Sequence, residues 1–240
     1  MKFLQFIFLL FTCFILFNCN QTKKKAKETK PKKEIKVVEP IKKEIKIKKK
    51  EKEIRPSWDT LNKKNAQEFF KQYGKENKET KVLIKTSFGN IKLRLFNDTP
   101  IHRANFIFLT KIKYFDTTVF YRVAKNWVVQ GGDSETTATA KFRKKYQHYR
   151  LRPEFRKKRR HRYGALAAAR SIEDNPNKLS SPFNFYIVQN KKGAHHLDDE
   201  FTVFGQLISG YSTINKIAQV KVGSDEWPLS DIPMTVEIIE

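Results

Sequence analysis

From Val82 the chain alternates apolar and polar positions. Val82-Leu83-Ile84-Lys85-Thr86 and Ile91-Lys92-Leu93-Arg94-Leu95 flank Ser87 to Asn90, a turn containing Gly89. A period of two puts successive side chains on opposite faces, so the two runs predict a hairpin. After Pro100 the spacing changes: Ala104, Phe106, Phe108, Leu109 and Ile112 recur at helical intervals, and proline suits a first helical turn. A second helical segment is expected near Tyr211 to Val220, and a final strand at Thr235 to Ile239. Upstream, Asp59 is placed to cap a helix running to about Tyr73, with Leu61, Ala66, Phe69 and Phe70 on one face and Gly74 as C-cap. This order of elements suggests a mostly β protein, a closed β-barrel with two packed helices, on which the upstream helix docks.

The N-terminus follows another pattern. Lys2 precedes an apolar run from Phe3 to Phe17 broken only by Gln5 and Thr12, the form of a secretory signal, and short for a membrane span. It ends in Leu16-Phe17-Asn18-Cys19, which resembles the lipobox of bacterial lipoproteins; Asn18 departs from the small residue usual there. The resemblance implies a signal peptide over residues 1–18, an acylated Cys19, and a membrane-anchored lipoprotein of the cell envelope facing the periplasm. An uncleaved signal anchor and a soluble secreted protein are the alternatives.

Composition sharpens the division. A chain of 240 residues with 39% apolar content builds one ordinary core. Its formal charge of +24 sits in two places: residues 23–55 hold 16 Lys or Arg against 6 Glu, and residues 141–163 hold 12 against Glu154. The first stretch, rich in Lys, Glu, Ile and Val with Pro31 and Pro40, buries too little apolar surface to offset chain entropy. Residues 19–56 are therefore expected to be a disordered tether, residues 57–79 a helical extension, and residues 80–240 the folded domain. The tether's lysines could also lie on anionic headgroups, at about 1 kcal/mol each. For the second stretch, with its run Arg156 to Arg162, a solvated loop is the preferred reading, ahead of an anionic envelope surface or acidic client chains. Nucleic acid is not expected as a partner, because that run lacks interleaved aromatics and the chain carries an export signal. Cys13 and Cys19 are the two cysteines, so the domain holds no disulfide or thiolate metal site. The adjacent pairs His195-His196 and Asp198-Asp199 are poor tetrahedral ligands on one loop. No metal or cofactor is expected.

The most informative segment runs from Thr118 to Asp133 and reads TVFYRVAKNWVVQGGD. It resembles the central signature of the cyclophilins, an aromatic-aromatic-Arg-Val strand that turns into a second strand ending Gln-Gly-Gly-Asp. Gly164 to Arg170, Ser181 to Val188 with Asn184-Phe185-Tyr186-Ile187, and Leu197 to Gly205 with Val203-Phe204-Gly205 match later segments of that family in order. The resemblance spans roughly residues 80–240 and implies an antiparallel barrel of about eight strands with peptidyl-prolyl cis–trans isomerase activity toward proline-containing polypeptides.

That chemistry needs no nucleophile. The barrier to rotation about a prolyl peptide bond is about 18–20 kcal/mol because amide resonance must be broken. A ~10⁵-fold acceleration corresponds to about 7 kcal/mol of preferential binding to the twisted amide. A guanidinium that donates to the prolyl nitrogen, whose lone pair localises as the amide twists, supplies such an interaction. By resemblance Arg122 is that residue and Gln130 the amide beside it. Trp127, Val128, Tyr186 and Leu197, with Phe120 alongside, would make the pocket for the proline ring; Phe201 is a further substrate-binding position, Ala169 and Arg170 would offer backbone groups, and Asn184 its side-chain amide. Tyr121 and Phe201 stand where His is common, Val128 where Met is frequent, Asn184 where Gln is usual and His196 where Trp often is. A catalytically weak module that binds proline-containing segments is the competing reading. A monomer is expected.

Overall fold

In the computed structural model, which describes residues 61–146 and 148–240, the alternation beginning at Val82 becomes a hairpin. Strand β1 (Lys81–Thr86) buries Val82 and Ile84, and β2 (Gly89–Leu95) buries Ile91, Leu93 and Leu95, while Lys85 and Arg94 face solvent. The signal peptide of residues 1–18, Cys19, the tether of 19–56 and Asp59 lie outside the described residues.

Six further strands follow: β3 (Val119–Ala124), β4 (Val128–Asp133), β5 (Ala165–Ala168), β6 (Phe185–Val188), β7 (Val203–Ser209) and β8 (Thr235–Ile238). All pair antiparallel, in the order β3-β4-β6-β5-β7-β2-β1-β8. The sheet curls without closing, which corrects the expectation of a closed barrel. Its two edges, β3 and β8, form no ladder with each other. Pro233 stands opposite Val119 and has no N–H to give. The chain entering β8 meets β3 only through single bonds, Phe120 N–H to the Ile232 carbonyl (3.0 Å) and Met234 N–H to the Thr118 carbonyl (3.3 Å).

Four α-helices lie among the described residues: α1 (Ala66–Glu76), α2 (Pro100–Lys111), α3 (Thr137–Tyr146) and α4 (Tyr211–Ile217). Helix α1 ends later than its sequence suggests, and Gly74 lies inside it. A Cβ there would stand 3.1 Å from the Ala104 Cβ, so the glycine serves the close approach of α1 to α2. Asn77 ends the helix, its side-chain and backbone N–H groups both 2.8 Å from the Tyr73 carbonyl. Buried Arg103 of α2 satisfies the remaining ends, donating from Nη2 to Gly74 O and from Nη1 to Asn77 O, each at 2.7 Å. Helix α3 corrects the reading of 141–163 as wholly loop: Thr139 bonds the Thr117 carbonyl (2.6 Å), and Tyr146 is buried.

Apolar side chains collect on both faces of the sheet. The main core lies under α1 and α2, where the Phe106 ring meets Phe115, Phe185 and Phe204 at 4.6 to 5.8 Å. On the other face Val128, Tyr186, Val188 and Val203 form a smaller cluster, edged by the half-buried Trp127, Leu197 and Phe201. Strand β5 serves both, sending Leu166 and Ala168 one way and Ala165 and Ala167 the other. Small alanines let a fully buried strand pack tightly on two sides.

Candidate active site

The site begins with the hairpin of β3 and β4. Asn126 takes a left-handed conformation (φ 60°) in the turn, which asparagine tolerates. The resulting register sets Arg122 directly opposite Gln130. Tyr121 is an extra residue between the Phe120–Gly131 and Arg122–Gln130 pairs, a bulge in the ladder. Such a bulge re-aims side chains, and Tyr121 and Arg122 both reach the same glutamine. On β4 a compensating irregularity falls at Gly132, whose φ of 93° and place beside Phe183 O, 2.2 Å from any Cβ, leave room for glycine alone.

Arg122 is held from three sides. Glu226 Oε2 accepts from both Nε and Nη2, each at 2.7 Å; Nη1 points at Gln130 Oε1 at 3.4 Å; and the guanidinium lies 5.0 Å from the centre of the Trp127 ring. Its side chain keeps 29% of its surface exposed, so a ligand can reach it. The Glu226 loop is tied to the hairpin by a bond from Val123 N–H to the Glu226 carbonyl (2.8 Å) and by the Trp227 ring, 5.5 Å from that of Tyr121.

From Gln130 the polar contacts continue along the surface. Gln130 Nε2 donates to the Tyr121 hydroxyl, which also accepts from Asn184 Nδ2 at 3.1 Å. Asn184 Oδ1 accepts from Ser181 Oγ (2.7 Å) and from Arg143 Nη2 (2.9 Å), and Arg143 Nη1 lies 2.8 Å from Asp133. Burial pushes the Tyr121 hydroxyl above its ordinary pKa and that of Tyr114, behind Arg143, up to about 12, so both remain neutral hydrogen-bonding groups. A groove of about 1310 Å³ opens beside this line, with Tyr121, Gln130, Asn184, Ala169 and Arg170 in its wall.

The apolar residues expected around a proline ring gather in the smaller cluster. Trp127, Leu197 and Phe201 are half-buried, whereas Val128 and Tyr186 keep only 2% and 4% of their surface. Phe201 packs edge-on to Tyr186 (5.9 Å) and under the Arg170 guanidinium (4.7 Å). Phe120 is not among them: fully buried, it packs against Phe185 on the core side. Ala169 corrects another expectation. Its N–H is bonded to Asn184 O (3.0 Å) and its carbonyl to Ser181 N–H (2.8 Å), so its backbone is engaged; among the described residues the Arg170 backbone has no such partner.

Tyr186 carries a feature that no local pattern announced. Its hydroxyl lies 2.9 Å from Nε2 of His161, whose Nδ1 lies 2.8 Å from Asp198 Oδ1. A carboxylate only accepts, so Nδ1 carries the proton and Nε2 accepts from the tyrosine. Burial lowers the His161 pKa, and Asp198 opposes that shift only in part. Burial also pushes the Asp198 carboxyl up, but hydrogen bonds from His161, His195 and Arg160 outweigh it and hold it at about 2. Glu226 went equally unannounced, because it lies 104 residues from Arg122 in a turn without chemical signature.

A guanidinium facing a glutamine across an antiparallel hairpin, at the edge of an apolar cluster on a curled eight-stranded sheet, defines a class. Residues 81–237 match the model of the cyclophilin-type peptidyl-prolyl cis-trans isomerases, and the chain belongs to that family of enzymes. It is 33% identical over 184 residues to a Staphylococcus epidermidis protein provisionally named a peptidyl-prolyl cis-trans isomerase, covering 65% of this chain and 90% of the relative. A Staphylococcus aureus protein of the same name is 33% identical over 181 residues, covering 64% and 88%. Among solved structures, a cyclophilin-type isomerase of Cryptosporidium parvum is similar with a TM-score of 0.58 and 25% identity, over 68% of this chain and 98% of that one. The same parasite's enzyme crystallised in the presence of the dipeptide Ala-Pro gives a TM-score of 0.57 at 26% identity, over 67% and 99%.

Proposed function

We propose that this isomerase acts on X-Pro bonds of exported polypeptides, from a position at the cell envelope to which an acylated Cys19 and the tether of residues 19–56 hold it as a monomer. The observation that carries the catalytic part is the Arg122 guanidinium, oriented by Glu226 and Gln130 and still open to a ligand. Glu226 occupies Nε and Nη2 and leaves Nη1 for the substrate. As the prolyl amide twists, its nitrogen regains a lone pair and becomes an acceptor that the planar amide lacks, so the arginine binds the transition state in preference to the ground state. Gln130 and Asn184, locked through Tyr121, present amides to the peptide backbone, and the half-buried Trp127, Leu197 and Phe201 receive the proline ring.

The test is isomerisation of short X-Pro peptides by the purified protein beside Arg122→Ala. Loss of one such donor typically costs about 10²- to 10³-fold in rate, and a variant that keeps the wild-type rate would sink the assignment. Metabolic labelling with palmitate, compared with Cys19→Ala, tests the anchor separately: label dependent on Cys19 supports it. One observation favours a weaker activity. Val128 and Tyr186 are nearly closed to solvent, so a proline ring must displace side chains to rest on them, and a slow enzyme that retains proline-containing segments fits that closure.

A further inference from the structure

The run Arg156 to Arg162 does not project into solvent as a loose loop. His161 plugs it into the domain, fully buried on Tyr186 and Asp198. A turn closes it, Arg159 N–H to Arg156 O at 2.8 Å, and Arg156 Nε donates to the Asp98 carbonyl at 2.7 Å. The Arg159 guanidinium carbon lies over the Phe96 ring, 3.6 Å from its centre, with Nε shared between both Asp98 carboxylate oxygens at 3.1 and 3.2 Å.

This places the cations around a groove of about 540 Å³ over β2 and β7, walled by Arg94, Lys158, Arg159, Arg160 and Arg162 and by no carboxylate. A second groove of about 320 Å³ shares Arg94, Phe96, Lys158 and Arg159 with it. Arg159 and Arg160 have acidic partners, Asp98 and Asp198, outside the larger groove. The Arg94 and Arg162 side chains are exposed and make no hydrogen bond or close ion pair among the described residues; Arg94 is one of the charges that lower the Glu240 pKa. A concave wall of one sign focuses potential and draws counter-charge. Tyr163 and Tyr211 flank the groove, and Ile208, 39% exposed, adds an apolar side chain to its wall. Cations, tyrosines and an exposed aliphatic together suit a membrane interface better than a soluble polyanion.

We propose that this groove is a docking site for anionic phospholipid headgroups, seating the domain on the membrane that the N-terminus is read as reaching. The proposal rests on that reading only for the nearness of the membrane, which raises the effective headgroup concentration. The groove shares no lining residue with the one beside Tyr121 and Asn184.

The described residues from 61 to 240 belong to one compact unit, and the similar Cryptosporidium chain is covered over 98% of its own length, so residues 52–240 are used without the residues before them. Its co-sedimentation is measured with phosphatidylcholine vesicles, with and without phosphatidylglycerol, over a salt series. Binding is expected only with phosphatidylglycerol and is expected to be lost at high salt. The double variant Arg94→Gln/Arg162→Gln should bind about thirtyfold more weakly, about 1 kcal/mol per arginine, while isomerising an X-Pro peptide at the wild-type rate. No binding to the anionic vesicles, binding the variant does not weaken, or equally tight binding to poly-glutamate would each overturn the proposal. Failure of Cys19 labelling would remove the anchor and leave the vesicle result standing.

Discussion

Two arginine-lined surfaces of this domain differ in which of their charges are paired. Beside the peptide groove the arginines that meet its polar line are paired, Arg122 with Glu226, Arg143 with Asp133 and Arg170 with Glu200, while the exposed Arg152 lines the groove as well. Around the groove over β2 and β7, the Arg94 and Arg162 side chains have no close ion-pair partner among the described residues, while Lys158 and Arg159 meet Asp98 and Arg160 meets Asp198. Where such pairs reach solvent, as Arg122 and Glu226 do, an ion pair adds only about 0–1 kcal/mol. What it supplies at the first surface is direction, since two bonds to one carboxylate oxygen leave the Arg122 fork a single orientation. At the second surface direction is of no use, and the lack of a partner leaves the charge available to a ligand. The proposed catalytic arginine and the proposed binding arginines thus differ in their neighbours, not in their residue type.

The sharpest way to break this contrast is Arg122→Ala, expected to lower kcat/KM for an X-Pro peptide by about 10²- to 10³-fold with the fold intact by circular dichroism. Asp198→Ala comes next in size and acts on stability. Asp198 accepts from both the backbone N–H and the Nδ1–H of His161, so removing its carboxylate is expected to cost about 2–4 kcal/mol in urea unfolding. Glu226→Ala should lower kcat/KM by about five- to tenfold, falling on kcat more than on KM because an unoriented guanidinium still binds peptide. Glu226→Gln, which keeps the acceptor oxygen, should recover part of it, and equal rates for all three proteins would show that Glu226 does not position Arg122.

Acid stability gives a smaller effect. His161 is neutral in the fold because its pKa is lowered from 6.5, so below pH 6.5 the unfolded chain binds a proton that the native state refuses. Stability should therefore fall as the pH drops below 6.5, by at most about 1.4 kcal/mol per pH unit. Asp198 adds a separate loss as the pH falls from 3.8 toward its native value of about 2. His161→Gln should flatten the urea midpoint between pH 7 and 5; an unchanged slope would mean that another group carries it.

Much of this protein was legible along the chain. Alternation gave the hairpin of β1 and β2, helical spacing gave α2 and α4, and the four ordered motifs gave the family, with Arg122 and Gln130 paired as one hairpin requires. These are local properties: a period of two or of 3.6 is written within a few residues, and a tight turn sets register without help from elsewhere. Packing between distant segments decided the rest. It put Glu226 on Arg122, Arg143 on Asn184 and His161 on Tyr186, left the sheet open where Pro233 meets β3, moved Phe120 to the core and engaged the Ala169 backbone. Each depends on which side chains share one small volume after the chain has folded, and residues up to 104 positions apart carry no mark of that in their own neighbourhoods. The sequence of this protein singles out the guanidinium of Arg122 as the candidate; the tertiary structure decides where it points and which other arginine side chains stay without a close partner.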